Sequence, residues 1–158
     1  RFMNNNTTPT TMRIAAQLID LGADINQARV NLFESKSRLE VLLLGKALKH
    51  IDFSEDGRIA WMSLPYDEVK SINALDFHPE GIINYTRMIT GVEVGLLFRE
   101  TEPGVVKIGF RSKGPINVAA IAQEFNGGGH RQAAGARQEG RLEEVREQVI
   151  KMVKDVIS

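Results

Sequence analysis

The chain has 158 residues, 42% of them apolar and 25% charged, with 20 Lys plus Arg against 20 Asp plus Glu. Such a chain can bury a core without a metal or disulfide staple, and its composition excludes intrinsic disorder, collagen and a coiled-coil rod. Zero net charge argues against a protein that coats duplex nucleic acid, which is usually basic overall, and the absence of cysteine removes disulfide scaffolds, zinc ribbons and thiol nucleophiles.

Thr8-Pro9 predicts the first helix start, a hydroxyl cap followed by proline at the first helical position. Ile14, Ala15, Leu18 and Ile19 give this helix an apolar face, and Gly22 stops it. Asp24 to Gln27 has capping-box spacing and opens a second helix. Ser37 to Glu40 repeats the device, and the third helix carries a broad stripe from Leu39 to Ile51. After His50 the pattern changes: Ser54-Glu55-Asp56-Gly57 reads as a turn and Arg58 to Leu64 as a strand. Helical stretches follow from Pro65 through Leu75 and from about Pro79 to Ile89. Val92 to Arg99 and Val105 to Arg111 alternate as strands about a Pro103-Gly104 turn. Asn117 caps a short amphipathic helix, which Asn126-Gly127-Gly128-Gly129 breaks. Ala133 to Arg137 reads as a short strand, and Leu142, Val145, Val149, Val153 and Val156 mark a final amphipathic helix. The expected fold class is α+β: a mixed β-sheet covered by helices, preceded by a helical segment and a connecting helix.

No apolar run approaches the ~20 residues of a membrane span and no signal peptide opens the chain, so no membrane partner and a cytoplasmic location are expected. The first residue is Arg1, not Met, and the chain is expected to be cut from something larger.

The most unusual stretch runs from Phe125 through Gly127-Gly128-Gly129-His130 to Ala136. Consecutive glycines cost backbone entropy on ordering, so a folded protein needs a reason for them. They let a ligand approach the backbone, or let successive N–H groups converge on an anion; a flexible loop between helix and strand is the alternative. The loop closes a helix, so it is not a dinucleotide-binding fingerprint. Arg111-Ser112-Lys113 ends a strand, where a guanidinium can hold a phosphate bidentately and a hydroxyl can add a bond; a solvated strand end is the alternative. From Lys107 to Arg137 five cations face Glu124 alone, a net +4 in a neutral chain. That is a local field suited to a modest anion. His50 suits a helix C-terminus, His78 precedes Pro79, and Asp67 and Glu68 suit a helix's first turn. Trp61 is expected in the core, and Asp52, Glu55 and Asp56 as a solvated acidic turn. No histidine falls in metal-ligand spacing, and no nucleophile elbow surrounds Ser63.

The run Val106 to Val118, then Ile121-Ala122, then Phe125 through Gly135 resembles the C-terminal, DHH-associated domain of DHH-family phosphoesterases. That domain carries an Arg-Ser strand end, an N/D-V-x-x-I-A helix and a G-G-G-H-x-x-A-A-G loop, all present here in order. The resemblance covers about residues 37–158. Phe2 to Thr10, Arg13 to Ala16 and Leu21 to Asp24 are similar to the tail of the catalytic domain in the oligoribonuclease/phosphoadenosine-phosphate phosphatase (nanoRNase) branch. The resemblance implies three parts: residues 1–36 as the tail of a truncated N-terminal catalytic domain, 37–50 as a connecting helix, and 51–158 as the substrate-binding domain. It also implies two manganese ions, held in the missing catalytic domain by residues that include an Asp-His-His motif absent here. No catalytic or metal residue is expected in this chain, which alone should be inactive. Arg111 and Ser112 would bind a substrate phosphate, Gly127, Gly128 and Gly129 would let the nucleotide lie against the backbone, and His130 would hydrogen-bond a phosphate. Asn126 stands where the family often has another glycine. The implied ligand is a short single-stranded oligonucleotide or a nucleoside 3′,5′-bisphosphate. A cyclic-dinucleotide phosphodiesterase, a single-strand exonuclease fragment and a non-catalytic nucleic-acid-binding module are the alternatives.

Overall fold

Side-chain caps at Thr8 and Asp24 start the first two helices, and the computed structural model describes residues 7–77 and 81–157. The chain divides after Ser37 into two units. In the first, α1 (Pro9–Asp20) opens on a reciprocal pair of hydrogen bonds between Thr8 and Thr11. Leu21 and Gly22 close it, with Gly22 at φ +91°. The second helix, α2 (Ile25–Phe33), starts where the Asp24 carboxylate accepts from the Gln27 amide at 3.0 Å. Neither helix has a buried residue.

The second unit begins with α3 (Arg38–Lys49), which buries Leu43 and Ala47. The apolar stripe read as one helix through Ile51 divides: the His50 amide bonds to the Ala47 carbonyl, and Ile51 opens β1 (Ile51–Phe53). A turn at Ser54–Gly57, with Gly57 at φ +71°, leads to β2 (Ile59–Leu64). The helix expected through Leu75 is shorter, α4 (Tyr66–Lys70), followed by turns. The next is α5 (Asn84–Met88); His78 and Pro79 lie outside the described residues. Then come β3 (Val94–Glu102), β4 (Val105–Ser112), α6 (Val118–Gln123), β5 (Gly128–His130), β6 (Ala133–Glu139) and α7 (Leu142–Ile157).

The strands form one mixed sheet in the order β1-β2-β3-β4-β6-β5. Only β2 and β3 are parallel, because the long connection carrying α4 and α5 crosses over between them. Helices α6 and α7 cover one face over Leu96, Phe98, Ile108, Phe110 and Ala134. On the other face, Met62, Leu64 and Leu97 pack with Leu43, Val69 and Ile83. That second cover stops short. Along β4, Val106, Ile108 and Phe110 are buried while Lys107 is exposed and Gly109 and Arg111 half-buried. Along β6, Gly135 and Arg137 are exposed. The β4-β6-β5 half of the sheet therefore has one packed face and one open face. No described helix is long and apolar enough to cross a membrane.

Candidate functional site

The open face is ordered by strand register. Residues directly opposite in an antiparallel pair share a face, and the side-chain period of two keeps i and i+2 together. One row across the sheet contains Gly95, Arg111, Ala133 and His130. The next contains Leu97, Gly109, Gly135 and Gly128, and the third Arg99, Lys107 and Arg137. Two strand spacings separate Arg111 from His130, about 10 Å between backbones. The guanidinium and imidazole predicted to act together thus lie on one face of one row. Between them and the Lys107/Arg137 row lie the exposed Gly135 and Gly128, while Gly109 is covered by Ile83, whose Cδ1 would be 3.0 Å from a Cβ there.

Arg111 is half-buried, and its Nη1 donates to the Phe110 carbonyl at 2.9 Å. Burial, and then the nearby charge of Arg87, lower its affinity for its proton below the ordinary guanidinium range. Arg87 comes from α5, whose seat depends on Gly95: a Cβ there would lie 1.9 Å from the Thr86 hydroxyl oxygen and 3.5 Å from the Arg87 amide nitrogen. The fold thus holds two guanidinium groups near one another with part of their hydration removed. An anion on this face would relieve both the desolvation and the repulsion. Sequence reading missed Arg87, because it sits in the connection between β2 and β3, 24 residues before Arg111; Gly95, the second residue of β3, was the available signal.

Two of the three glycines, Gly128 and Gly129, open the edge strand β5, and Gly127 precedes it. Asn126 adopts φ +53°, which Asn tolerates better than most side chains, and the Gly127 amide caps α6 by bonding the Ala122 carbonyl at 2.8 Å. A Cβ on Gly127 would sit 2.2 Å from the Gly135 carbonyl oxygen, and one on Gly129 2.6 Å from the Ala133 carbonyl oxygen. Two of the three glycines are therefore required by backbone packing. Gly128 is different: a Cβ there would meet nothing within 4 Å. His130, two residues beyond Gly128, is exposed.

Ser112 is fully buried, and its hydroxyl donates to the Ile116 carbonyl at 2.8 Å. In this geometry it braces the turn that follows Arg111. Arg131 and Gln132, which carry no expected role, brace the same turn through the Pro115 carbonyl at 2.6 Å and the Gly114 carbonyl at 3.0 Å. The Arg131 carbonyl accepts from the Val118 amide at the start of α6. Lys113 reaches the Ile89 carbonyl at 3.0 Å. The local excess of cations therefore divides: Lys107, Arg111 and Arg137 share the open face, while Lys113 and Arg131 hold loops.

His50 and Glu68 join α3 to α4 away from this face. The His50 Nε2 lies 2.7 Å from a Glu68 oxygen, with Lys46 and Lys49 each at 3.5 Å. The His50 hydrogen bond chiefly holds the Glu68 carboxyl below its ordinary range; burial opposes it, and the charges of His50, Lys49 and Lys46 add to it. Trp61 is partly buried against the main core. Asp56 accepts from the Ser54 hydroxyl at 2.6 Å and the Arg58 amide at 3.1 Å, so it organises its turn. Among the described residues no three His, Asp or Glu side chains form a set that could hold a metal ion. These residues do not fit a two-manganese centre.

Residues 79–158 match the DHHA1 domain family. The bifunctional oligoribonuclease and PAP phosphatase NrnA of Thermus thermophilus is 32% identical over 159 residues, covering 99% of this chain and 47% of that protein. The protein of the same name from Bacillus subtilis is 29% identical over 136 residues, covering 86% of this chain and 42% of that one. The chain thus spans about half the length of these curated relatives. The solved structure of an exopolyphosphatase-related protein from Bacteroides fragilis superimposes with a TM-score of 0.83 at 26% identity, over 98% of this chain and 44% of that one. A pGpG-specific phosphodiesterase, PggH, from Vibrio cholerae shares the fold, with a TM-score of 0.55 at 12% identity over 98% of this chain and 53% of that one. By the family match, the order of its motifs and these relatives, the chain belongs to the DHHA1 domains of DHH-family phosphoesterases related to the NrnA nuclease/phosphatases.

Proposed function

We propose that this chain is the substrate-binding part of a metal-dependent phosphoesterase acting on short oligonucleotides, nucleoside 3′,5′-bisphosphates or both. The observation that carries the reading is the half-buried Arg111 beside Arg87, in the same sheet row as the exposed His130. Arg111 and Arg87 neutralise one phosphate, and His130 donates to it or to its neighbour. Gly128 leaves the sheet surface open, so a nucleotide can lie against it. Ser112 acts indirectly, by fixing the turn that holds Arg111 in place. The chemistry belongs to a separate N-terminal catalytic domain carrying two manganese ions. This part contributes orientation and charge neutralisation, which are large terms in phosphoryl transfer.

The test is a titration of the chain with a nucleoside 3′,5′-bisphosphate, followed by NMR of the His130 ring and by calorimetry. The His130 signals shift on saturation, and Arg111→Ala weakens binding roughly 10- to 100-fold, the span of a charge-assisted hydrogen bond of about 1.5–3 kcal/mol. The chain alone with added manganese gives no turnover. An unmoved His130 together with an unchanged affinity in Arg111→Ala removes the site, and robust turnover removes the assignment of the chemistry to another domain.

A further inference from the structure

The opposite face of the sheet carries an opening of its own, towards the β1 edge. Helix α7 packs over β2, β3 and β4, and β1 lies beyond it at the border of the sheet. A groove runs between the β1-β2 ribbon and the helix. Its two adjoining hollows measure about 460 and 330 Å³ and share Asp52, Trp61 and Arg146. Small-molecule sites begin at about that size. Strand register sets the floor: Trp61 and Ser63 point to the α7 side with Ile59, and Asp52 lies directly opposite Trp61 across β1 and β2. Trp61 thus has Asp52 on the strand side and Arg146 on the helix side.

Three polar groups here lack partners. The Ser63 side chain lines the smaller hollow; the residue is 5% exposed and its hydroxyl makes no hydrogen bond. Native proteins rarely leave such a group idle. Arg146 is half-buried and, among the described residues, pairs with nothing. One Asp52 oxygen accepts from the Phe53 amide at 2.8 Å, which leaves the other. Together with the half-buried indole, these groups suit a flat ring held between an acceptor and a cation. An indole stacks on any nucleobase, a carboxylate accepts from a base amine, and a guanidinium grips a phosphate. The remaining charge is balanced, Asp52, Glu143 and Glu147 against Arg146, Lys151 and Lys154. The groove therefore does not gather a polyanion, and a single phosphate is what Arg146 can hold.

We propose that the groove between β1 and α7 is a mononucleotide site. The base stacks on Trp61 with its amino edge donating to Asp52, the Ser63 hydroxyl meets the sugar, and the phosphate sits on Arg146. Trp61 and Arg111 are on opposite faces of the sheet, so this site does not depend on the phosphate site proposed above. Under that reading, cleavage of a short oligonucleotide releases this class of molecule, and the groove is where product acts on the chain.

The chain's single tryptophan reports occupancy directly. Its fluorescence is titrated with AMP and with UMP, whose base carries a carbonyl in place of the amine, in wild type, Arg111→Ala, Arg146→Gln and Asp52→Asn. Thermal melts first establish that each variant is folded; Asp52 is exposed and Arg146 half-buried, so neither replacement opens the core. AMP quenches the signal saturably, equally in wild type and Arg111→Ala, and binds tighter than UMP. Arg146→Gln weakens AMP roughly 10- to 100-fold, the span of a lost charge-assisted bond. Asp52→Asn, which donates as well as accepts, erases the preference for AMP over UMP. No saturable quench overturns the site, and so does a quench unmoved by both Arg146→Gln and Asp52→Asn. A quench lost in Arg111→Ala but kept in Arg146→Gln places the nucleotide on the other face, which overturns the groove and leaves the first site standing.

Discussion

Gly127→Ala and Gly128→Ala differ by one position and are expected to have opposite consequences. At residue 127 the new methyl carbon would stand 2.2 Å from the Gly135 carbonyl oxygen, 2.7 Å from the Ala136 Cβ and 2.8 Å from the Ala136 Cα. Comfortable carbon contacts are about 3.5–4.0 Å, so β6 must retreat by more than an ångström. It cannot do so freely, because β4 pairs with it from Val105 to Arg111. Overpacking against fixed neighbours costs about 1–3 kcal/mol. At roughly 4 °C per kcal/mol for a chain of this size, Tm falls by about 4–12 °C. At residue 128 the methyl meets nothing within 4 Å, and the loss of unfolded-state freedom favours folding by up to about 1 kcal/mol. The Gly128 variant is therefore as stable as wild type or slightly more so. It binds nucleotide more weakly, because the methyl stands on the floor the ligand would occupy. Circular-dichroism melts and calorimetry read both effects. Equal melting of Gly127→Ala and wild type, or a Gly128→Ala variant as unstable as Gly127→Ala, would refute the division of the triplet into two packing glycines and one open one.

Gly95→Ala tests the seat of α5. Its Cβ would overlap the Thr86 hydroxyl, which is buried and donates to the Ile83 carbonyl at 2.7 Å, so we expect a loss of about 1–3 kcal/mol in urea unfolding and weaker bisphosphate binding as Arg87 moves from Arg111. Thr86→Ala in the same chain restores part of both, and a Gly95→Ala variant with wild-type binding would show that Arg87 placement is irrelevant. The Glu68 clasp sets an acid response. Its folded carboxyl titrates below the ordinary 4.5, so its contribution to stability is present above that value and is lost as pH falls through the folded one. Glu68→Gln flattens this part of the acid limb of denaturant midpoint against pH, and an acid limb identical to that of wild type would remove the clasp.

Much of this arrangement is legible in the sequence, for identifiable reasons. Helix caps at Thr8, Asp24 and Asn117 are local hydrogen-bond devices, and the structure uses all three. The alternation through Val94, Leu96 and Phe98 and through Val106, Ile108 and Phe110 marks the strands, because α6 and α7 bury that face of the sheet. Two three-residue strands escape such reading. Ile51 continues the helical stripe of α3, and Gly128–His130 has no apolar side chain to alternate. Both become strands through partners elsewhere in the chain. The same limit applies to the site. Arg111 and the glycine-histidine run are visible as motifs. That they share a row, that Arg87 joins them, and that Ser112 turns inward are consequences of register and crossover, which no short window contains.

Both outermost strands of the sheet are only three residues long, and one begins with two glycines. A foreign strand seeking to extend the sheet finds few free amide and carbonyl groups in line, and on the glycine side little apolar surface to grip. The open face can therefore stay bare for a ligand without turning the adjacent border into a template for aggregation.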